Sequence, residues 1–305
     1  MSYREEALTF GCAGDTLVGV VATPESGDES DVGAVIVVGG PQVRVGSHRQ
    51  FTLLARRLAA AGYPVLRFDV RGMGDSTGAP RSFEALDDDI GSAVQALQQR
   101  CPGVRRVVLW GLCDGASACL LFLDRNRDTQ IAGLCLLNPW VRSATSLART
   151  HVKHYYLQRL LQAEFWRKLL RGGVARRAGT DLVQNLRQAW RRPSVDLADT
   201  TPFQQRMARA WAGFHGPVLL LLSGNDYTAR EFLEYARDDP TWRANLAMQE
   251  MTRVDLAGAD HTCSNDADRR RMETATVDWL NTAMRRCQPT RGEGASPASY
   301  SAELV

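Results

Sequence analysis

The chain has 305 residues, 44% hydrophobic and 23% charged, with a formal net charge of +3. This profile suits a globular protein with a sizeable core and excludes a disordered or fibrous one. No apolar run approaches the roughly 20 residues of a bilayer span, and seven cysteines without C-x-x-C spacing or a His-rich partner exclude a disulfide framework and a zinc site as expectations.

In chain order, "ALTFGC" and "TLVGVVATP" read as an antiparallel hairpin joined at "AGD". The charged start "MSYREEALTF" lacks the apolar stretch of a secretion signal, so a reducing, cytoplasmic compartment is expected. Buried strands follow at "GAVIVVGG" (33–40), "YPVLRFDV" (63–70), "RRVVLWG" (105–111), "IAGLCLLNP" (131–139) and "GPVLLLLSG" (216–224). Each is β-branched or Leu-rich and bounded by Gly, Pro or Asn, as in a parallel sheet covered on both faces. Between them, "HRQFTLLARRLAAAG" has apolar positions 51, 54, 58 and 61 and ends at Gly62, a helix with its C-cap. "SFEALDDDIGSAVQALQQR" offers Ser82 as N-cap and places Ile90, Val94 and Leu97 on one face. The alternation predicts an α/β fold with a mostly parallel, doubly wound sheet.

After Pro139 the alternation stops. Residues 141–215 contain helical stretches and no convincing strand, so they are expected to form a helical cap inserted between a core of 1–140 and 216–287. Residues 141–216 hold 14 Lys and Arg against 4 Asp and Glu, while the rest of the chain holds 23 against 30. Such a segment either presents solvated helical faces or meets an anionic partner. The small, polar residues 288–305 are expected to be disordered.

The chemistry centres on "LWGLCDGAS" (109–117). A nucleophile exposed at a sharp strand-to-helix turn needs glycine on both sides, because the backbone there leaves no room for Cβ atoms. Gly111-Leu112-Cys113-Asp114-Gly115 meets that need, and the following helix directs its N-terminal dipole at the sulfur, which favours thiolate. Taken alone, Cys113 reads equally as a buried structural thiol. His261, in the loop "DLAGADHTCSN" after the last strand-like run, is the expected base. Asp226, after the strand beginning at Val218, is the expected acid, whereas Asn138 offers no carboxylate and Asp260 is too near His261 for a clean Nδ1 hydrogen bond. The order nucleophile, acid, base is that of one hydrolase fold.

"RFDVRGMGDSTG" (67–78), "GLCDGAS" and "GADHT" together resemble the α/β-hydrolase superfamily. More closely, "VVGGPQVRVGSHRQFTLLARRLAAAGYPVLRFDVRGMGDS", "LLNPWVRSATSLARTHVKHYYLQRLL" and "LSGNDYTAREF" are similar to the exosortase A system-associated hydrolase 1 family, over residues 1 to about 285. The resemblance implies an α/β-hydrolase fold, a cysteine in the elbow, a basic helical cap and a place among bacterial exopolysaccharide or related biosynthetic genes.

The oxyanion hole is expected from the backbone N–H of Asp114 and, because Pro41 has none, that of Gln42, whose side chain can instead face substrate. His48 and Trp140 are expected at the pocket rim. A cysteine nucleophile passes through a thioester, so the substrate is expected to be an activated acyl group: ester, lactone or thioester. No cofactor or metal is expected. An anionic carrier, coenzyme A or an acyl carrier protein, would suit the basic cap, whose aromatics include Tyr155, Tyr156, Phe165 and Trp166. The alternatives are an acyltransferase passing the group to an amine, alcohol or thiol, and a non-catalytic scaffold binding a carrier protein. Nucleic acid is not an expected partner, because the basic residues are interleaved with apolar helical positions.

Overall fold

A computed structural model describes residues 2–25, 30–126, 130–142 and 201–286. The described elements in chain order are β1 (Tyr3–Cys12), β2 (Asp15–Pro24), β3 (Val32–Val37), α1 (Gln50–Ala60), β4 (Val65–Phe68), α2 (Asp87–Arg100), β5 (Arg106–Leu112), α3 (Asp114–Arg125) and β6 (Ile131–Leu137). They continue with α4 (Phe203–Ala212), β7 (Val218–Ser223), α5 (Tyr227–Asp238), α6 (Pro240–Leu246), β8 (Met251–Leu256) and α7 (Asp266–Arg286). The eight strands form one sheet in the order β1-β2-β4-β3-β5-β6-β7-β8. β1 and β2 form the expected hairpin, β2 pairs antiparallel with β4, and every other pairing is parallel. Among the described residues, no helix is long and apolar enough to cross a membrane.

The central strands read as continuous apolar runs because each face of the sheet meets its own core. Successive side chains point to opposite faces. Val107 and Leu109 of β5 therefore join one cluster, with Leu97 of α2, Leu120 of α3 and Phe232 of α5. Val108, Trp110 and Leu112 join the other, with Phe51 and Leu58 of α1 and Leu280 of α7. Burying such a side chain stabilises the fold by about 1.5–3 kcal/mol. The two edges are less buried and charged: β1 carries Arg4, Glu5 and Glu6, and β8 carries the Arg253–Asp255 pair. Charge at an open edge discourages pairing with another chain.

Two local expectations change in detail. Ser82 caps only a short 3-10 turn, Phe83–Ala85, where its Oγ accepts the N–H of Glu84 at 3.3 Å. The α-helix starts at Asp87, and its acidic opening has a tertiary use: the buried Arg71 guanidinium pairs with buried Asp89 at 2.7 Å. Similarly, the stretch expected as a helix from His48 begins as a 3-10 turn, because His48 and Arg49 adopt positive φ and the α-helix starts at Gln50.

Of the expected cap, residues 143–200 lie outside the described residues, as do 287–305. At its C-terminal end, α4 packs against α3 and so belongs to the core. Met207 and Trp211 of α4 are buried, and Arg206 and Arg209 pair with Asp124 of α3 at 3.2 and 2.8 Å.

Candidate active site

Cys113 occupies the turn between β5 and α3 with φ 59° and ψ −122°, a strained conformation for a residue with a Cβ. Such strain costs about 1–3 kcal/mol and persists only where its surroundings enforce it. Here β5 and α3 meet too closely for side chains: a Cβ on Gly111 would lie 2.5 Å from the Gly115 carbonyl oxygen, and one on Gly115 would lie 2.5 Å from that of Val37. The Cys113 N–H donates to the Leu137 carbonyl at 2.9 Å, and its own carbonyl accepts the N–H groups of Ser117 and Trp140 at 3.1 and 3.2 Å. Among the described cysteines, Cys113 is half-buried and the other five are buried. Burial pushes the thiols of Cys119 and Cys135 upward, and that of Cys263 up to about 12.

The loop after β8 carries His261 to the same edge of the sheet. Asp260 does not pair with the imidazole; its Oδ1 accepts the N–H groups of Thr262 and Ser264 at 3.2 and 2.9 Å, shaping the turn. His261 Nδ1 lies 2.9 Å from Asp226 Oδ2, while the Cys113 sulfur is the ring's other hydrogen-bond partner. These two hydrogen bonds, Asp226 first, raise the pKa of His261 from 6.5 to about 10 against the opposing effect of burial. Asp226 is buried at the end of β7, where it also caps α5: its two oxygens accept the N–H groups of Thr228 and Ala229 at 3.1 and 3.3 Å. The structure thus brings Cys113, His261 and Asp226 together from three different strand ends.

A cavity of about 240 Å³ opens over Cys113 and His261. Gly39, Gly40, Pro41 and Gln42 form one wall, and Phe51, Leu112 and Trp140 add apolar surface. Asp114 lines it beside the sulfur. Burial raises the pKa of Asp114, while the N–H groups of Gly40, Asp114 and Gly115 and the charge of His261 work against the rise. Among the described residues, the Gln42 side-chain oxygen is buried and has no hydrogen-bond partner. An unpaired buried acceptor costs about 1–3 kcal/mol. His48 is exposed and does not line this cavity; its charge acts on Asp260. A larger hollow of about 540 Å³ lies against α2, with Asp88, Ser92 and Gln95 on its walls, away from Cys113 and His261.

Several residues that hold the site escaped the sequence reading. Asn138 is buried with φ 49° and joins three strand ends: its Oδ1 accepts the Ser223 N–H at 2.8 Å, and its Nδ2 donates to Ser223 Oγ at 3.0 Å and to the His261 carbonyl at 3.5 Å. Ser117 Oγ donates to the Trp140 carbonyl at 2.7 Å and accepts the Trp140 N–H at 2.9 Å, fixing that wall. Arg142 lies 4.9 Å from the Trp140 ring centroid and pairs with Glu231 at 2.6 Å. Buried Asp69, in the "RFDVRGMGDS" stretch, binds the Arg44 guanidinium and accepts the Arg44 N–H at 2.6 Å, holding the loop that carries Gln42.

The chain belongs to the alpha/beta hydrolase family, whose sequence pattern it matches over residues 34–275. The esterase Pf2001 of Pyrococcus furiosus is similar in structure, with 15% identity, a TM-score of 0.64 and 92% of each chain covered. XC6422 of Xanthomonas campestris, a serine hydrolase without a lid, shares 17% identity and a TM-score of 0.51, covering 95% of this chain and 97% of its own. A serine hydrolase homologue from Coxiella burnetii shares 15% identity and a TM-score of 0.52, covering 90% and 97%. At these identities the likeness is one of fold. No curated protein matches the chain.

Proposed function

We propose that this protein is a cysteine hydrolase of activated acyl groups, thioesters or esters, working through an acyl-enzyme on Cys113. The observation that carries the reading is His261 held between the Cys113 sulfur and the Asp226 carboxylate beside an open cavity. Esterase and hydrolase neighbours of the same fold support the reaction class. Cysteine in place of serine changes the intermediate to a thioester.

In the first half-reaction the sulfur, its proton held on His261, attacks the acyl carbon. A carbon–sulfur bond forms and the carbonyl electron pair moves to oxygen, where the backbone N–H groups of Asp114 and Gln42 receive it. The oxyanion collapses, the bond to the leaving group breaks, and His261 gives the departing atom its proton. Water then attacks the thioester, His261 takes a proton from it, and the carbon–sulfur bond breaks to release the acid. Asp226 keeps Nδ1 occupied, so that Nε2 faces the reaction. Residues 143–200 carry 11 Lys and Arg against 4 Asp and Glu, which supports a substrate borne on an anionic carrier such as coenzyme A or an acyl carrier protein. The resemblance to exosortase-associated hydrolases supports a place in a bacterial biosynthetic pathway.

Intact-mass spectrometry after incubation with an acyl thioester tests the reading. A mass increase equal to the acyl group is expected in the parent protein and not in Cys113→Ala. Equal turnover by the two would remove the mechanism. Product analysis with and without an added amine then separates hydrolysis from transfer to that acceptor.

A further inference from the structure

The loop that carries His261 is tied to the end of β7 on both sides of the imidazole, by backbone before it and by side chains after it. Before it, the N–H groups of Gly224 and Asn225 donate to the carbonyls of Leu256 and Ala259, both at 2.9 Å. After it, the chain turns back at Cys263, which has φ 49° and donates its N–H to the Asp260 carbonyl at 3.2 Å. Cys263 is buried, and its thiol has the Ser223 hydroxyl as hydrogen-bond partner. Ser223 ends β7, three positions before Asp226.

Ser223 is in turn set by Asn138. The asparagine accepts the Ser223 N–H through Oδ1 at 2.8 Å and donates through Nδ2 to Ser223 Oγ at 3.0 Å. A hydroxyl that accepts there keeps its own proton for a further acceptor, and the Cys263 sulfur is in reach. Asn138 Nδ2 also approaches the His261 carbonyl, but 3.5 Å is long for such a bond. The firmer path from β6 to the His261 loop therefore runs through Ser223. Aspartate could not replace the asparagine, because an ionised carboxylate has no proton to give Ser223 Oγ. All three side chains are buried, and none lines the cavity over Cys113.

We infer that Asn138, Ser223 and Cys263 are positioning residues: a relay from Asn138 Nδ2 through the Ser223 hydroxyl to the Cys263 sulfur fixes the His261 loop against the strand end that carries Asp226, and so sets the imidazole–carboxylate contact. The buried thiol of Cys263 thereby has a use apart from nucleophilic chemistry. The effect on rate rests on the acyl-enzyme reading, in which a base misplaced by about 1 Å slows reaction about a hundredfold. The titratable groups acting on His261 are Asp226, Cys113 and, through charge, Asp114, and the relay contains none of them.

The test compares the full chain with Ser223→Ala, Asn138→Leu, Cys263→Ala and Cys263→Ser. The two Cys263 variants differ by one oxygen, so both lose the sulfur's volume while serine alone keeps an acceptor for the Ser223 proton. Titration of His261 by NMR is expected near 10 in the parent and in Cys263→Ser. In Cys263→Ala and Ser223→Ala its proton affinity should fall at least about tenfold as the Asp226 contact loosens. Stopped-flow acylation by a butanoyl thioester should slow at least about tenfold in those two at saturating substrate, with half-saturation unchanged because the cavity wall is intact. Asn138→Leu should behave like Ser223→Ala; should it not fold, the Cys263 pair still decides. A parent-like titration in folded Ser223→Ala or Cys263→Ala would overturn the inference, as would an equal fall in Cys263→Ser and Cys263→Ala. Absence of any acyl adduct in the parent would instead overturn the acyl-enzyme reading and leave the titration comparison standing.

Discussion

Asp226 meets His261 through the same carboxylate that caps α5: Oδ2 lies 2.9 Å from the imidazole Nδ1, and both oxygens accept N–H groups of the first helical turn. The two roles can be separated by substitution. Asparagine caps a helix about as well as aspartate, whereas alanine loses about 1 kcal/mol. Asp226→Asn should therefore keep the thermal stability given by the cap while the pKa of His261 falls toward 6.5. Asp226→Ala should lose both. Thermal melts and imidazole titration by NMR read the two effects independently; equal stability loss in both variants would show that the cap contributes nothing.

His261 also predicts a pH dependence. Its folded pKa, about 10, lies above the ordinary 6.5 because of Asp226 and then Cys113. A raised histidine pKa means that the imidazolium's partners stabilise the native state fully below about 6.5, and that this contribution disappears as pH rises through about 10. In the proposed cycle the same proton is needed by the leaving group. Acylation should thus fall on an alkaline limb centred near 10. Stopped-flow acylation rates across that range provide the check, and a limb at the ordinary histidine value would mean that the imidazole is not engaged as described.

The fold and the meeting of Cys113, His261 and Asp226 at one edge of the sheet were legible because both are written in local pattern. Apolar runs bounded by Gly or Pro mark strands that bury both faces, and Gly-x-Cys-x-Gly records a backbone approach that admits no Cβ. The supporting contacts follow no such pattern. Asn138 reaches Ser223 across 85 positions, and Arg44 reaches Asp69 across 25. In the sequence Asn138 registered only as the lack of a carboxylate; its actual work, joining β6 to β7 and the His261 loop, depends on the sheet order. Ser82 misled in a different way. It is a good cap residue and does cap, but the turn it caps ends before buried Asp89 is drawn to Arg71 and α2 begins. The acidic side chain of Asp114 was likewise invisible as a feature of the pocket, since its direction is set by the loop that carries Gly39 and Gly40.

The Arg44–Asp69 pair should control the loop that carries Gln42. Asp69 is fully buried and accepts the backbone N–H groups of Arg44 and Asp75 at 2.6 and 3.1 Å besides binding the guanidinium. Arg44→Met leaves that carboxylate without its cation, and removing one partner of a buried pair costs about 3–5 kcal/mol. The double variant Arg44→Met with Asp69→Asn removes the stranded charge and should recover part of the loss. Urea unfolding of the two single variants and the double variant measures the coupling. Additive losses would show that the side chains do not interact.

Two glycines give opposite expectations for the same substitution. A Cβ on Gly115 would stand 2.5 Å from the Val37 carbonyl oxygen and 3.1 Å from the Gly39 nitrogen, so α3 would have to move away from β3. Backbone shifts of this kind cost about 1–3 kcal/mol, and here they displace Cys113 from His261. On α2, a Cβ at Gly91 meets only Phe122 Cε2 at 3.8 Å, an ordinary contact. Alanine there removes unfolded-state freedom and should stabilise the protein by about 0.4–1 kcal/mol. Thermal unfolding should therefore move down in Gly115→Ala and up in Gly91→Ala, and only the first should slow adduct formation at Cys113. A Gly115→Ala variant with unchanged melting and acylation would mean that the close approach of strand and helix does not set the elbow.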